Sequence, residues 1–220
     1  MTQNRKETLS SRIVAQLRQA ILQGQLAPGE KINLDRLRDQ HQVSISPLRE
    51  AVSRLVPDGL VAFEDQRGYS VAPISAADLA EITRLRCTLE SQALREAVAA
   101  GDLEWESQVM GALYRLRITE VGSDDAAGAA AWEAAHAEFH MALIRGCNSP
   151  LLLHFCTVLR AMQDRYRWLF RASLPAGRDV QAEHDGIAAA ATSRQADLAC
   201  ARLVAHIEGT AALLMPAVPG

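Results

Sequence analysis

Hydrophobic residues recur at helical spacing along most of this chain, and the alternation typical of strands is confined to one short stretch around position 67. In the N-terminal third, this spacing predicts a helix over about 10–23, a second helix that carries Leu34 and Leu37, and a third that carries Leu48 and Val52. From position 76 onward the period is helical almost throughout. We predict six further helices near 76–100, 102–120, 127–146, 150–172, 179–192 and 195–214, with breaks at Gly101, Gly122–Ser123, Gly146–Ser149, Pro175–Gly177 and Pro216.

The order of elements in the first third is that of a winged helix-turn-helix. The two short helices are joined by a turn at His41–Val43, and the later one opens at Ser46 and Pro47. Serine suits the N-cap, and proline suits the first helical position because its missing N–H has no acceptor there. Two alternating strands on either side of Gln66–Gly68 then predict a hairpin wing. Such an arrangement exists mainly to place one helix in a DNA groove.

The fold class that follows is mainly α, in two domains. We predict a winged helix-turn-helix over residues 1–74 and an all-helical antiparallel bundle over residues 75–220. The charge is divided in the same way, although the net charge is −3. Residues 1–74 hold 10 Lys and Arg against 8 Asp and Glu, whereas residues 75–220 hold 13 against 18. The positive excess therefore lies in the half that carries the winged helix, as expected of a DNA-binding domain.

The start of the third helix carries side chains that suit a DNA backbone and a base edge. Ser44, Ser46 and Arg49 cluster at a helix N-terminus, where exposed N–H groups and the positive end of the helix dipole attract phosphate. A guanidinium in this place reaches O6 and N7 of guanine, so Arg49 is the predicted base reader. The predicted DNA-binding set is completed by Arg36, Arg54, Arg67 and Gly68. The alternative is a helical hairpin with solvated arginines.

The segments PGEKI, VSISPLREAVSRLVPDGLV and QRGYSVAP closely resemble the DNA-binding domain of GntR-family transcription regulators, over about Leu9 to Ser75. The resemblance implies a regulator that pairs as a homodimer and reads a short inverted repeat in double-stranded DNA. Many members of the family carry an arginine where this chain has Ile45. We therefore expect the operator to differ from the usual half-site of the family.

A second candidate site lies in the helical half, where four histidines fall on apolar faces. His136 and His140 are four residues apart in one predicted helix, a spacing at which two imidazoles can chelate one ion. His184 and His206 lie on two later helices among apolar neighbours. Three or four imidazoles suit Zn²⁺ or Ni²⁺, so these four histidines form the predicted metal site. The other two histidines are interpreted as ordinary.

The helical half resembles the FCD effector domain of the FadR-type branch of the GntR family. That pattern is carried here by Arg86, Leu89, Glu90, Phe139, His140, His184 and His206. The resemblance implies a divalent metal and a carboxylate effector bound beside it. His136 replaces an acidic ligand of the family, and Glu133 could partly stand in for that ligand.

Arg86 is the predicted effector-binding residue. At about 100° per residue it falls roughly 40° from Ile82, so it faces the core, where a guanidinium needs an anionic partner. Two partners remain open: Glu90, one turn later, or a carboxylate ligand held by the planar guanidinium. Asn148 is a second predicted effector contact. The arginines of 164–171 are further candidates, although most are expected to face solvent.

The segments SPLREAVSRLV, IRGCNS and RYRW most resemble the glutarate-responsive, carbon-starvation-associated repressors of enteric bacteria. This resemblance implies a repressor whose effector is a C4–C6 dicarboxylate or a 2-hydroxy acid. Two other functions are weighed against it. One is a metal sensor without an organic effector. The other is a small metallohydrolase with Glu133 or Glu138 as base, for which the chain offers no H-E-x-x-H motif.

Membrane and secretory functions are disfavoured by the sequence. No apolar run reaches the roughly 18 residues of a membrane span, and the N-terminal MTQNRKETLS does not have the pattern of a signal peptide. The four cysteines lack metal-ligand spacing and are expected to be reduced thiols. We therefore expect a cytoplasmic protein.

Overall fold

The computed structural model describes residues 9–119, 126–171 and 177–219, and its elements follow the predicted order. In these ranges the helices are α1 Leu9–Leu22, α2 Leu34–His41, α3 Ile45–Ser53, α4 Ala76–Ala100, α5 Leu103–Ile118, α6 Ala126–Arg145, α7 Pro150–Phe170, α8 Val180–Thr192 and α9 Ala196–Leu214. The strands are β1 Val61–Glu64 and β2 Gly68–Val71. The breaks predicted at Gly122–Ser123 and at Pro175 lie outside the described residues.

The chain divides into two compact units. Among the described residues, the first unit comprises 9–79, 161–171 and 217–219, and the second comprises 80–119, 126–160 and 177–216. The C-terminal end of α7 therefore belongs to the same unit as the winged helix.

The core of the winged helix is built from one face of each of its helices. Ile13, Leu17 and Ile21 recur every fourth residue on α1, and this stripe is fully buried against Leu48 and Val52 of α3. The predicted helix-turn-helix is confirmed. The side chain of Asn33 caps α2 at its start, and Gln42 ends it in the left-handed region at φ 53°.

The start of α3 differs from the prediction by one to two residues. The cap is Ser44 and not Ser46, because Ser44 is extended at ψ 164° and Ile45 is already helical. Pro47 is consequently the third helical residue rather than the first. This position still tolerates proline, because N–H groups of the first turn have no acceptor within the helix.

The wing is an antiparallel hairpin in which Val61 pairs with Val71 and Glu64 pairs with Gly68. Its turn needs two left-handed residues, Gln66 at φ 65° and Gly68 at φ 83°. The glycine meets this requirement without strain. The predicted wing is confirmed.

The end of α7 corrects the expectation that most arginines of 164–171 face solvent. Arg165 and Arg167 are buried, and only Arg171 of the three is exposed. Arg165 donates from Nη2 to the backbone oxygen of Ala72 at 2.6 Å, and Arg167 pairs with Asp164 at 3.0 Å. Burial is tolerated because each guanidinium has an acceptor in the fold.

The second unit is a helical bundle with a continuous apolar core. That core is formed from α4, α5, α6, α8 and α9, with the buried Cys156 of α7. Trp105 shows how the helices are fixed: its ring is buried and its Nε1 donates to the backbone oxygen of Ala142 on α6 at 3.1 Å. Residues 196–217 are long and apolar enough to span a membrane, at a mean hydropathy of 1.4. In this fold Leu203, Ile207 and Leu214 of that segment are buried.

Candidate functional site

The predicted DNA-reading residues share the outer surface around the start of α3. Ser44, Ser46 and Arg49 are all exposed, and Ser44 makes no side-chain capping bond. The first-turn N–H groups of α3 are thus not capped by their own serine and remain suited to a phosphate oxygen. Arg49 lies in the second turn, where an exposed guanidinium on a helix inserted in the major groove reaches base edges.

The wing is tied to this helix by one hydrogen bond. Ser53 at the end of α3 and Tyr69 on β2 lie 2.6 Å apart, hydroxyl to hydroxyl. Arg67 at the tip is highly exposed and pairs with Glu64 at 2.9 Å. Arg36 on α2 and Arg54 at the end of α3 are exposed as well, and Gly68 shapes the turn.

The four predicted histidines converge inside the bundle. His136 and His140 come from α6, His184 from α8 and His206 from α9, and all four are buried. One ring nitrogen from each lies within 4.8 Å of the others. Nitrogens bound at about 2.0–2.1 Å to one tetrahedral ion are themselves roughly 3.3 Å apart, so this donor set fits a single divalent ion after a small contraction.

Two features of the cluster favour histidine rings that are neutral and held in one orientation, as metal ligands are. Burial, followed by the charges of Arg160 and the other histidines, holds the pKa of His140 well below its usual value. His206 donates from Nδ1 to Glu183 at 2.8 Å, which leaves its Nε2 as the lone-pair donor. A carboxylate behind a ligating histidine in this way fixes the ring and raises its basicity.

Glu183 is held ionised for this role. Burial alone would raise its pKa, but the hydrogen bonds from His206 and Arg178 lower the pKa of Glu183 to about 2. Arg178 donates from Nε to Glu183 at 2.6 Å and from Nη1 to Thr210 at 2.8 Å. Glu183 and Arg178 were not predicted from the sequence, because neither belongs to a spacing pattern with the histidines.

A buried charge group lies beside the histidines. Arg86 donates from Nε to Glu90 at 2.6 Å, and Arg160 of α7 lies 3.9 Å from the other oxygen of the same carboxylate. Nη2 of Arg160 is also 3.5 Å from Nδ1 of His136. Two guanidinium groups therefore approach one buried carboxylate directly beside the histidines.

Arg86 therefore faces the core, as its helical phase indicates, and has the Glu90 partner that the sequence left open. Arg160 was missed, although its spacing from the buried Cys156 and Gln163 places it on the inner face of α7. Asn148 is exposed at φ 54° beyond the end of α6, and its contact with an effector stays a prediction.

Comparisons with known proteins agree for both halves of the chain. Residues 9–71 match the gntR family of bacterial regulatory proteins, and residues 81–209 match the FCD domain. The chain is 35% identical over 196 residues to an uncharacterized HTH-type transcriptional regulator, BphR, of Paraburkholderia xenovorans, which is 88% of this chain and 80% of that protein.

Two Escherichia coli proteins extend the comparison. The HTH-type transcriptional repressor GlaR is 30% identical over 208 residues, which is 93% of this chain and 94% of that protein. The solved structure of McbR/YncC has the same fold, with a TM-score of 0.79 at 20% identity over 96% of this chain and 98% of that one.

Proposed function

Because this chain belongs to the GntR family and carries an FCD domain, we propose that a small carboxylate, bound with a divalent metal among the buried histidines, controls its affinity for DNA. That the protein is a DNA-binding transcription regulator follows from the family itself. Its relatives and structural neighbours are regulators and not enzymes, so the metallohydrolase alternative is set aside. The observation that carries the proposal is the convergence of four buried imidazoles from three helices.

We propose that the protein is a cytoplasmic repressor that acts as a homodimer on an inverted repeat. One recognition helix reads only a few base pairs, and two-fold symmetry doubles the contact. The similarity to a relative named as a transcriptional repressor supports repression. Arg49 would contact the base edges, and Arg67 the backbone or minor groove.

The histidine cluster fits Zn²⁺ or Ni²⁺ among divalent ions, because neutral imidazole is a ligand for both. When bound, such an ion would supply a Lewis acid that attracts a carboxylate oxygen. Neutral imidazole ligands would leave the full charge of the ion in place, and the guanidinium groups of Arg86 and Arg160 lie beside the cluster. The charge of the ion and the neighbouring guanidinium groups both favour an anionic effector with two carboxylate groups. Arg86 would bind one of these carboxylates.

Within the cluster, we assign His136 a different role from the fourth ligand that the sequence predicts. Arg160 can only donate, so its approach to Nδ1 of His136 favours a lone pair there and a proton on Nε2. If His136 bound the ion through Nε2, its neutral ring would carry the proton on Nδ1. That N–H would then face the guanidinium of Arg160, which has no lone pair to accept it. His140, His184 and His206 would then hold the ion, and His136 would donate its Nε2–H to the bound carboxylate.

Replacing His136 by glutamine tests this assignment. The glutamine side chain can accept a hydrogen bond from Arg160 with its oxygen and direct an N–H toward the cluster. We therefore expect His136→Gln to bind metal stoichiometrically. Its affinity for the metal should fall by about 10-fold, as for a residue that supports the ligands without binding the ion. His140→Gln should lose more than about 100-fold, because it removes a ligand. Competition titration with a chromophoric chelator measures both. Equal losses in the two variants would make His136 a ligand.

The effector is tested by thermal shift of the full protein with C4–C6 dicarboxylates and 2-hydroxy acids, before and after chelation. A ligand at 100 times its Kd stabilises the native state by about 2.7 kcal/mol, so the melting temperature should rise with the correct acid. Stabilisation by Zn²⁺ or Ni²⁺ alone, together with no response to any acid, would support the metal sensor instead.

A further inference from the structure

The outer face of α5 carries a stripe of large apolar side chains. Leu103 is 77% exposed, Met110 47%, Tyr114 63% and Ile118 62%. The opposite face of the same helix is buried in the bundle core through Trp105 and its neighbours. A helix that is apolar on both faces is normally covered on both.

These four residues lie on one line along the helix. At about 100° per residue they fall within roughly 80° of one another, and from Leu103 to Ile118 the stripe is about 22 Å long. Single exposed hydrophobic residues are normal on a protein surface, whereas a contiguous apolar strip marks an interaction site.

The charges along α5 indicate what covers the stripe. Its first turn contains Glu104 and Glu106, and its last turn contains Arg115 and Arg117. A second α5 running antiparallel would set each acidic turn against a basic one, whereas a parallel copy would align like charges. The charges of α5 are thus complementary to those of a second α5 that runs antiparallel to it, as a two-fold interface requires.

Glu104 and Arg115 are the pair available for such contacts. Glu106 is engaged by Arg194, and Arg117 pairs with Asp185 at 2.8 Å. Glu104 accepts a hydrogen bond only from the neutral Gln108, and Arg115 has no acidic partner within the parts of the chain that the structure describes.

The surface beside the stripe has the shape for close approach. A depression of about 280 Å³ between α5 and α6 is lined by Glu104, Ser107, Gly111 and Arg115 of α5. Gly111 has no side chain, and a Cβ there would meet only Nη1 of Arg115 at 3.6 Å. A two-fold axis near Met110 and Gly111 would bring the same flank of both helices together, so that the depressions of the two copies face each other.

We propose that α5 is the surface on which a second copy of this chain docks, antiparallel about a two-fold axis near Met110 and Gly111. The proposal rests on the homodimer proposed above and adds its interface. Tyr114 and Met110 form the apolar centre, and Glu104 of each copy faces Arg115 of the other.

Sedimentation of the full protein tests the surface. Tyr114→Glu should raise the dissociation constant of the dimer by at least about 30-fold, as expected for an aromatic residue at the centre of an interface. Leu151→Glu, at a residue that is 66% exposed on α7, is the matched control and should leave the dimer intact. Circular dichroism melting confirms that each variant is folded.

A charge exchange distinguishes this contact from a general loss of folding. Glu104→Arg and Arg115→Glu should each weaken the dimer, and the double variant should recover it, because the two-fold pairing is restored with reversed sign. A dimer unaffected by Tyr114→Glu, or a double variant no stronger than the singles, overturns the surface alone. A wild-type chain that is monomeric yet binds operator DNA overturns both the surface and the dimer.

Discussion

Replacing Glu90 by glutamine is expected to lower the free energy of unfolding by about 3–5 kcal/mol. Its carboxylate is buried and is shared by Arg86 at 2.6 Å and by Arg160 at 3.9 Å. Glutamine keeps the size of the side chain but removes the buried negative charge that both guanidinium groups approach. Denaturant unfolding followed by circular dichroism measures the change.

The control lies on the same helix. Glu81 pairs with Arg84 at 3.6 Å, three residues apart, and both side chains are more than 60% exposed. Glu81→Gln should cost less than about 0.5 kcal/mol, because water screens the pair. If Glu90→Gln were as mild as Glu81→Gln, the buried group of Arg86, Glu90 and Arg160 would not be the charged unit described above.

Replacing Arg49 by alanine is expected to weaken operator binding by about 1–3 kcal/mol per half-site and to flatten discrimination at one base pair of that half-site. Arg49 is exposed in the second turn of α3, beyond the uncapped first turn. Fluorescence anisotropy at fixed salt, with the selected operator and single-base variants, measures both effects.

Two variants separate base reading from general charge. Arg67→Ala at the wing should weaken binding to all sequences alike and reduce its dependence on salt. Arg95→Ala, at an exposed pair with Asp197 in the helical half, should leave DNA binding unchanged. An Arg49→Ala protein with unaltered affinity and unaltered base preference would remove Arg49 as the base reader.

The sequence was sufficient to predict the order and type of the helices and strands. In the described parts of the chain, the glycine and proline breaks and the spacing of hydrophobic residues indicated the same elements. The first of the six bundle helices is predicted at 76–100 and found at Ala76–Ala100. The start of α3 was misplaced because Ser44 and Ser46 are both acceptable caps, and only the backbone conformation decides between them.

The histidines of the candidate site were also accessible from the sequence, since an apolar helical face that repeatedly carries histidine is a local pattern. The residues that surround these histidines could not be predicted from the sequence. Glu183 and Arg160 reach the cluster from α8 and α7, and nothing in local spacing says which polar residue of one helix will face a histidine of another. The burial of Arg165 was missed for the same reason, because its acceptor is a backbone oxygen 93 residues away.

The central claim is that a carboxylate bound at the histidine cluster lowers affinity for DNA. The most direct measurement is anisotropy of a labelled operator with the zinc- or nickel-loaded protein, titrated with glutarate and its C4–C6 analogues, beside His140→Gln as control. We predict that at least one acid releases the wild-type protein from DNA and that His140→Gln binds the operator but no longer responds. Operator affinity that is unchanged by every acid, or release that persists in His140→Gln, would contradict the account.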